Sequence, residues 1–168
     1  MEYFILKMSD KVKNPIVPSL FGINALSVNA DMLEDYSIGY YDRKEKEYSD
    51  IITAPLFLVT EEVKKLMQLY DEEILFKGVQ LFAKDKTHEP ILYYTVQPYK
   101  TDCLHKSVRI NPNGTVNEVV LAKDKIPKKD IFVLEGLRET RMVISLRMAE
   151  SLLRREIYGI GLEYVTIK

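Results

Sequence analysis

Leu56-Phe57-Leu58-Val59-Thr60-Glu61-Glu62-Val63-Lys64-Lys65-Leu66-Met67-Gln68-Leu69-Tyr70 is the stretch that decides the fold class. Its first four residues are continuously apolar, as in a strand buried on both faces. From Thr60 the period changes, and Val63, Leu66, Met67 and Tyr70 recur at helical spacing. Thr60 stands where a helix cap is expected, and Glu61 and Glu62 fall in the first turn, where the helix dipole favours negative charge. Glu61 precedes Lys65 by one i,i+4 step, the favourable order for a charge pair. A strand therefore feeds directly into an amphipathic helix.

The same pattern returns near the C-terminus. Met142-Val143-Ile144 leads into Ser145, a second cap candidate, followed by Leu146, Ala149, Leu152, Leu153 and Ile157. Gly159-Ile160-Gly161 punctuates the helix end, and Leu162-Glu163-Tyr164-Val165-Thr166-Ile167 alternates as a strand does. Placing Thr60 on Ser145 aligns Phe57-Leu58-Val59 with Met142-Val143-Ile144, and Val79-Gln80-Leu81-Phe82 closes the first unit as a strand. Two strand-helix-strand units are expected. Whether they are related by duplication or only by packing stays open, because two copies do not establish a repeat.

Around these units the chain reads as further strands and loops. Tyr3-Phe4-Ile5-Leu6, Ile91 to Val96 and Ile131-Phe132-Val133-Leu134 are strand candidates, the second stopped by Pro98. Ile51 to Val59 is the most apolar run and is expected as a buried strand. Asn113-Gly114 between Val108-Arg109-Ile110 and Thr115-Val116 signals a hairpin, with Val119-Val120-Leu121 continuing its outgoing strand. Two prolines make Lys11 to Pro18 irregular, and Lys84 to Pro90 is polar loop. Residues 30–50 are dense in charge and tyrosine and predict a solvent-facing excursion. The fold class is α+β, with a mixed, largely antiparallel sheet carrying the two units.

A chain of 168 residues fits a single domain that buries roughly 70% of its unfolded surface, enough for a core without disulfides or metal. The lone Cys103 cannot form an internal bridge and argues for a reducing, cytoplasmic location. Met1 to Lys7 lacks the pattern of a signal peptide, and no apolar run approaches the length of a membrane span. Net charge is −1 but uneven: residues 1–50 hold 6 basic and 9 acidic side chains, residues 101–168 hold 12 and 9. That asymmetry can steer a charged partner and falls short of a nucleic-acid binder's basic stripe.

Asp102-Cys103-Leu104-His105 is the one cluster with catalytic potential, placing acid, thiol and imidazole within four residues. A cysteine nucleophile needs a base at hydrogen-bond distance and a group orienting that base, and no residue nearby in the sequence supplies the third part. His88 and His105 are the only histidines and lack metal-ligand spacing, so no structural metal is expected. Gly159 and Gly161 precede a strand, the reverse of a phosphate loop. Arg138, Arg141, Arg147, Arg154 and Arg155 interleave with Glu139, Glu150 and Glu156, as on a solvated face.

Eleven tyrosines and no tryptophan is the unusual feature of the composition. Tyr93-Tyr94 in a strand points one ring inward and one outward. Tyr40-Tyr41, with Asp42, lies amid charge and is the better interface candidate.

From Leu56 onward the chain resembles a bacterial immunity-protein family, named after a myxobacterial member and found beside polymorphic toxin genes. The likeness rests on Leu56-Phe57-Leu58-Val59-Thr60 with its helix, on Tyr93-Tyr94 through Asp102-Cys103-Leu104 to Ser107, and on Ile131-Phe132-Val133-Leu134 with Gly136. Val143-Ile144-Ser145 and Gly161-Leu162-Glu163-Tyr164-Val165 extend it. It covers residues 56–168 and leaves residues 1–55 as a variable N-terminal part of the same domain. The resemblance implies a cytoplasmic, non-catalytic protein that binds and neutralises a cognate toxin domain, without cofactor, nucleic acid or membrane. Tyr40, Tyr41, Asp42, Asp102 and His105 are the partner-binding candidates. Two other readings stay open: a small enzyme using Asp102, Cys103 and His105, and a nucleic-acid-binding or regulatory module using the basic C-terminal quarter.

Overall fold

The computed structural model describes residues 1–20, 33, 35–42, 46–86 and 88–168. The first half runs β1 (Tyr3–Met8), β2 (Ser19–Leu20), β3 (Tyr36–Tyr41), β4 (Ile51–Ile52), β5 (Leu58–Val59), α1 (Glu61–Tyr70) and β6 (Leu75–Ala83). The second runs β7 (Ile91–Gln97), β8 (Lys100–Thr101), β9 (Val120–Leu121), β10 (Ile131–Leu134), β11 (Met142–Ser145), α2 (Leu146–Leu153), β12 (Ile160–Tyr164) and β13 (Thr166–Ile167). Among the described residues these strands form a six-stranded sheet, β2-β3-β6-β7-β5-β4, a five-stranded sheet, β12-β1-β11-β10-β8, and a parallel pair, β13-β9. The fold is α+β with mixed, largely antiparallel sheets, and both strand-helix-strand units are present as β5-α1-β6 and β11-α2-β12.

In each unit the two strands flanking the helix are separated by a third that runs antiparallel to both. β7 fills that place between β5 and β6, and β1 fills it between β11 and β12. The register is the same in both. Ile51 pairs with Val59 and Ile52 with Leu58, as Ile131 pairs with Ile144 and Phe132 with Val143. Val59 pairs with Tyr94 as Ile144 pairs with Phe4, which makes Tyr93 the counterpart of Tyr3. β6 pairs in parallel with β3 as β13 does with β9, and Leu20 meets Gly39 as Leu104 meets Leu121. Among the described residues the two halves thus share this pairing pattern, β8 beside β10 being an addition in the second, and their first strands are exchanged: β1 completes the second half's sheet and β7 the first half's.

Three cores follow from this layering. Leu6, Val59, Val96, Met142 and Ile144 of both sheets meet Val63, Leu66 and Met67 of α1 and Met148, Ala149 and Leu152 of α2. On the far face of the six-stranded sheet Leu58, Val79, Leu81 and Tyr93 pack with Ile16, Leu20 and Tyr41. On the far face of the five-stranded sheet Tyr3, Ile5, Phe132 and Val143 pack with Cys103, Leu121 and Val165. Strand alternation sends Met142 and Ile144 one way and Val143 the other, and cover on both faces explains why β10 and β11 are buried throughout.

The helix starts differ in a way the sequence does not show. Ser145 caps α2, accepting from the Met148 N–H at 3.3 Å. Thr60 makes no side-chain cap on α1; its hydroxyl turns to the buried Asp50 carboxylate at 2.8 Å. Both residues nonetheless use one device. The Thr60 N–H donates to the Asp50 carbonyl at 3.0 Å and its hydroxyl to the Asp50 carboxylate; the Ser145 N–H donates to the Asp130 carbonyl at 2.8 Å and its hydroxyl to the Asp130 carboxylate. Asp50 stands directly before β4 and Asp130 directly before β10, and each ties that strand to the helix start of the unit that follows.

Several sequence expectations are corrected by long-range pairing. Residues 36–41 are not part of a solvent-facing excursion; they form β3, held by six registered pairs to β6. Residues 30–32, 34 and 43–45 of that predicted excursion lie outside the described residues. Ile51 to Val59 is two short antiparallel strands rather than one, joined through a turn containing the cis Ala54–Pro55 bond. The Asn113-Gly114 turn forms with Gly114 at φ +80°, but only one bridge, Ile110 to Val116, follows it. Val120 and Leu121 pair with β13 instead, and Val165, buried among the third core, breaks the terminal strand in two.

Candidate functional site

α1 covers only part of the six-stranded sheet. Phe76, Tyr94 and Val96 lie against the first core, but the same face continues across β3, β6 and β7 beyond the helix. Registered rows place Tyr36 beside Gly78 and Tyr94, Ile38 beside Gln80 and Leu92, and Tyr40 beside Phe82. Tyr36, Ile38, Tyr40 and Leu92 are exposed, and Phe82 is half-buried. The Tyr36 ring lies over Gly78, where a Cβ would come within 2.9 Å of it, and its hydroxyl bonds Gln80. The Tyr40 and Phe82 rings are 6.2 Å apart in a tilted pair.

The border with α1 is polar. Tyr94 hydrogen-bonds Glu61, which with burial pushes the phenol up to about 12 and, from the other side, holds the Glu61 carboxyl below its ordinary value. Lys64 Nζ sits 4.0 Å from the Tyr94 ring centroid, a cation–π contact. The face combines rigid aromatic area with phenol hydroxyls, the composition suited to protein docking, because such side chains bury much surface while losing little rotamer entropy.

The candidates named from sequence are divided by the fold. Tyr40 is 42% exposed on this face, whereas Tyr41 is 4% exposed and packs in the second core, since neighbours on a strand point to opposite sides. Tyr41 therefore presents no ring to a partner. Asp42 is exposed just past the end of β3. Asp102 and His105 lie elsewhere, on the segment leading to β9. Asp102 is exposed and pairs with Lys125 at 3.5 Å. His105 is half-buried and its Nδ1 engages Ser107, with the hydroxyl at 2.8 Å and the N–H at 3.2 Å.

Cys103 belongs to the third core and is 0% exposed; burial first, then the Asp102 charge, pushes its thiol up to about 11. A nucleophilic cysteine requires the opposite environment, electropositive and accessible. Among the described residues no group of three His, Cys, Asp or Glu side chains is placed to hold a metal ion. The basic C-terminal quarter is largely paired: Arg141 with Glu139, Arg147 with Asp130 and Arg154 with Glu150. Among the described residues no helix is long and apolar enough to cross a membrane.

Tyr36, Ile38, Phe82 and Leu92 escaped sequence reasoning. The signal was there in part, since Tyr36, Ile38 and Tyr40 alternate opposite Gly39, but the surrounding charge masked it.

No family model matches the chain. It is similar to a DegV domain-containing protein of Clostridium acetobutylicum, with 26% identity over 113 residues, 67% of this chain and 37% of that protein. The chain thus spans little more than a third of the length of this curated relative.

Proposed function

We propose that the protein is a non-catalytic, cytoplasmic immunity protein that binds a cognate bacterial toxin domain through the open aromatic face of its six-stranded sheet. The observation that carries this reading is the continuous row of Tyr36, Ile38, Tyr40, Phe82 and Leu92 on a sheet surface that α1 leaves uncovered. Contiguous exposed apolar surface of this kind marks interaction sites rather than ordinary monomer surface. The resemblance of residues 56–168 to polymorphic-toxin immunity proteins supplies the class of partner. The buried, raised thiol of Cys103 weighs against the cysteine-enzyme alternative, and the paired arginines weigh against nucleic acid. The similarity to the DegV domain-containing protein names no partner.

The test is co-expression with candidate toxin domains taken from the neighbourhood of this chain's gene. Growth should be rescued and a stable complex isolated. Ile38→Asp and Tyr40→Ala should abolish rescue while leaving thermal stability within about 0.5 kcal/mol, the usual range for surface changes. Rescue by both variants would remove the face from the reading, and failure of the native chain to rescue would remove the toxin.

A further inference from the structure

The internal repeat exposes a second site by comparison of its two halves. In the first half Tyr48, itself 46% exposed, lies over a corner between Tyr93, Asp50 and Glu62: its ring is 6.4 Å from the Tyr93 ring, its hydroxyl donates to Asp50 at 3.1 Å, and Glu62 is near enough to act on its ionisation. The registers make Tyr3, Asp130 and Arg147 the counterparts of Tyr93, Asp50 and Glu62. Those three residues line an open cavity of about 570 Å3. At the position of Tyr48 the second half carries Lys128, which is exposed and stands on the rim. The corner that one half fills with its own phenol is therefore vacant in the other.

The lining combines apolar and basic side chains with one acid, Asp130, which Arg147 pairs. Tyr3, Ile126 and Ile167 supply apolar wall, and Lys123, Lys128 and Arg147 surround it. Arg147 is paired with Asp130, and Lys129 with Asp71 and Glu73, but Lys123 and Lys128 have no ion pair among the described residues. In the first half the position matching Arg147 is Glu62, so a corner with two acids there has one acid and one arginine here.

We infer that the Tyr3–Asp130 pocket receives an aromatic side chain flanked by acidic residues, presented by a partner protein. Tyr48 shows the ring this corner accepts, and the unpaired Lys123 and Lys128 specify the charge beside it. The pocket is distinct from the aromatic sheet face, and the inference stands whether or not the partner is a toxin.

A fluorescein-labelled peptide with one tyrosine between two glutamates, titrated against the full chain by anisotropy, tests it. The native protein should bind this peptide at least about tenfold more tightly than versions carrying alanine for tyrosine or lysines for the glutamates. Lys128→Tyr, which restores the first half's own occupant, should reduce binding about tenfold, and so should Lys123→Glu combined with Lys128→Glu at exposed positions. Circular dichroism checks that each variant is folded. Equal affinity for the three peptides, or undiminished binding by the folded charge-reversal variant, overturns the proposal. A folded Lys128→Tyr that still binds would overturn the equivalence with Tyr48.

Discussion

Gly159 and Gly136 share a backbone conformation and differ in surroundings, so replacing each with alanine separates two costs. Both sit at φ +80°, where an L-residue is strained. A Cβ on Gly136 meets nothing within 4 Å, whereas a Cβ on Gly159 falls 2.1 Å from Ser49 Oγ, 2.8 Å from Ser49 Cβ and 3.2 Å from Val12 Cγ2. Gly136→Ala should therefore cost the left-handed penalty alone, about 1–2 kcal/mol. Gly159→Ala adds a forced displacement of Ser49, about 1–3 kcal/mol more if it behaves as core overpacking. Ser49 cannot retreat freely: its hydroxyl donates to the Ile51 carbonyl at 2.8 Å, and its own carbonyl accepts from the buried Tyr93 hydroxyl at 2.7 Å. The expected total of about 2–5 kcal/mol is a large share of the roughly 5–15 kcal/mol that holds a domain folded. Urea unfolding followed by far-ultraviolet circular dichroism measures both variants, with unchanged m-values confirming that the difference is stability. Equal losses for the two glycines would refute the close approach of Gly159 to Ser49.

Two further outcomes follow from the polar groups. Burial opposes the charge on Asp130, but hydrogen bonds from Arg147 and Ser145 outweigh it and hold the carboxyl below its ordinary value. A depressed folded pKa means that this stabilisation is complete above the unfolded value of about 3.9 and is lost as pH falls through the folded value. Asp130→Asn should thus be less stable than the native chain at neutral pH, with the gap closing in acid; a gap independent of pH would contradict the assignment. Cys103, with its thiol raised to about 11, should react slowly with a disulfide reagent near pH 8 and rapidly once urea unfolds the chain. Rapid native labelling would show that the thiol is accessible after all.

Much of the candidate site was hidden because its parts are remote in sequence. Tyr40 was visible as an unusual tyrosine, yet Phe82 and Leu92 join it only through the β3-β6-β7 register. Tyr41 shows the reverse error: a tyrosine beside charges looked like surface, and alternation buried it in the second core. The Tyr3–Asp130 pocket carries no local signal, since β10–β11 pairing brings Asp130 to Arg147 and Tyr3 joins them only because β1 crosses into the other half's sheet.

The sequence by itself determined the local elements whose chemistry is contained in a short window. The period change at Thr60, the Ser145 cap, the aromatic and β-branched run of Ile91 to Val96 and the turn at Gly114 all depend on neighbours within a few residues. Tertiary structure decided which strands pair. An apolar strand specifies that its faces be buried but not by whom, so Tyr3–Met8 has no means of announcing that it lies between Met142–Ser145 and Ile160–Tyr164. That long-range choice exchanges the two first strands, leaves one sheet face open beyond α1 and brings Tyr3 to the corner where Lys128 stands in place of Tyr48.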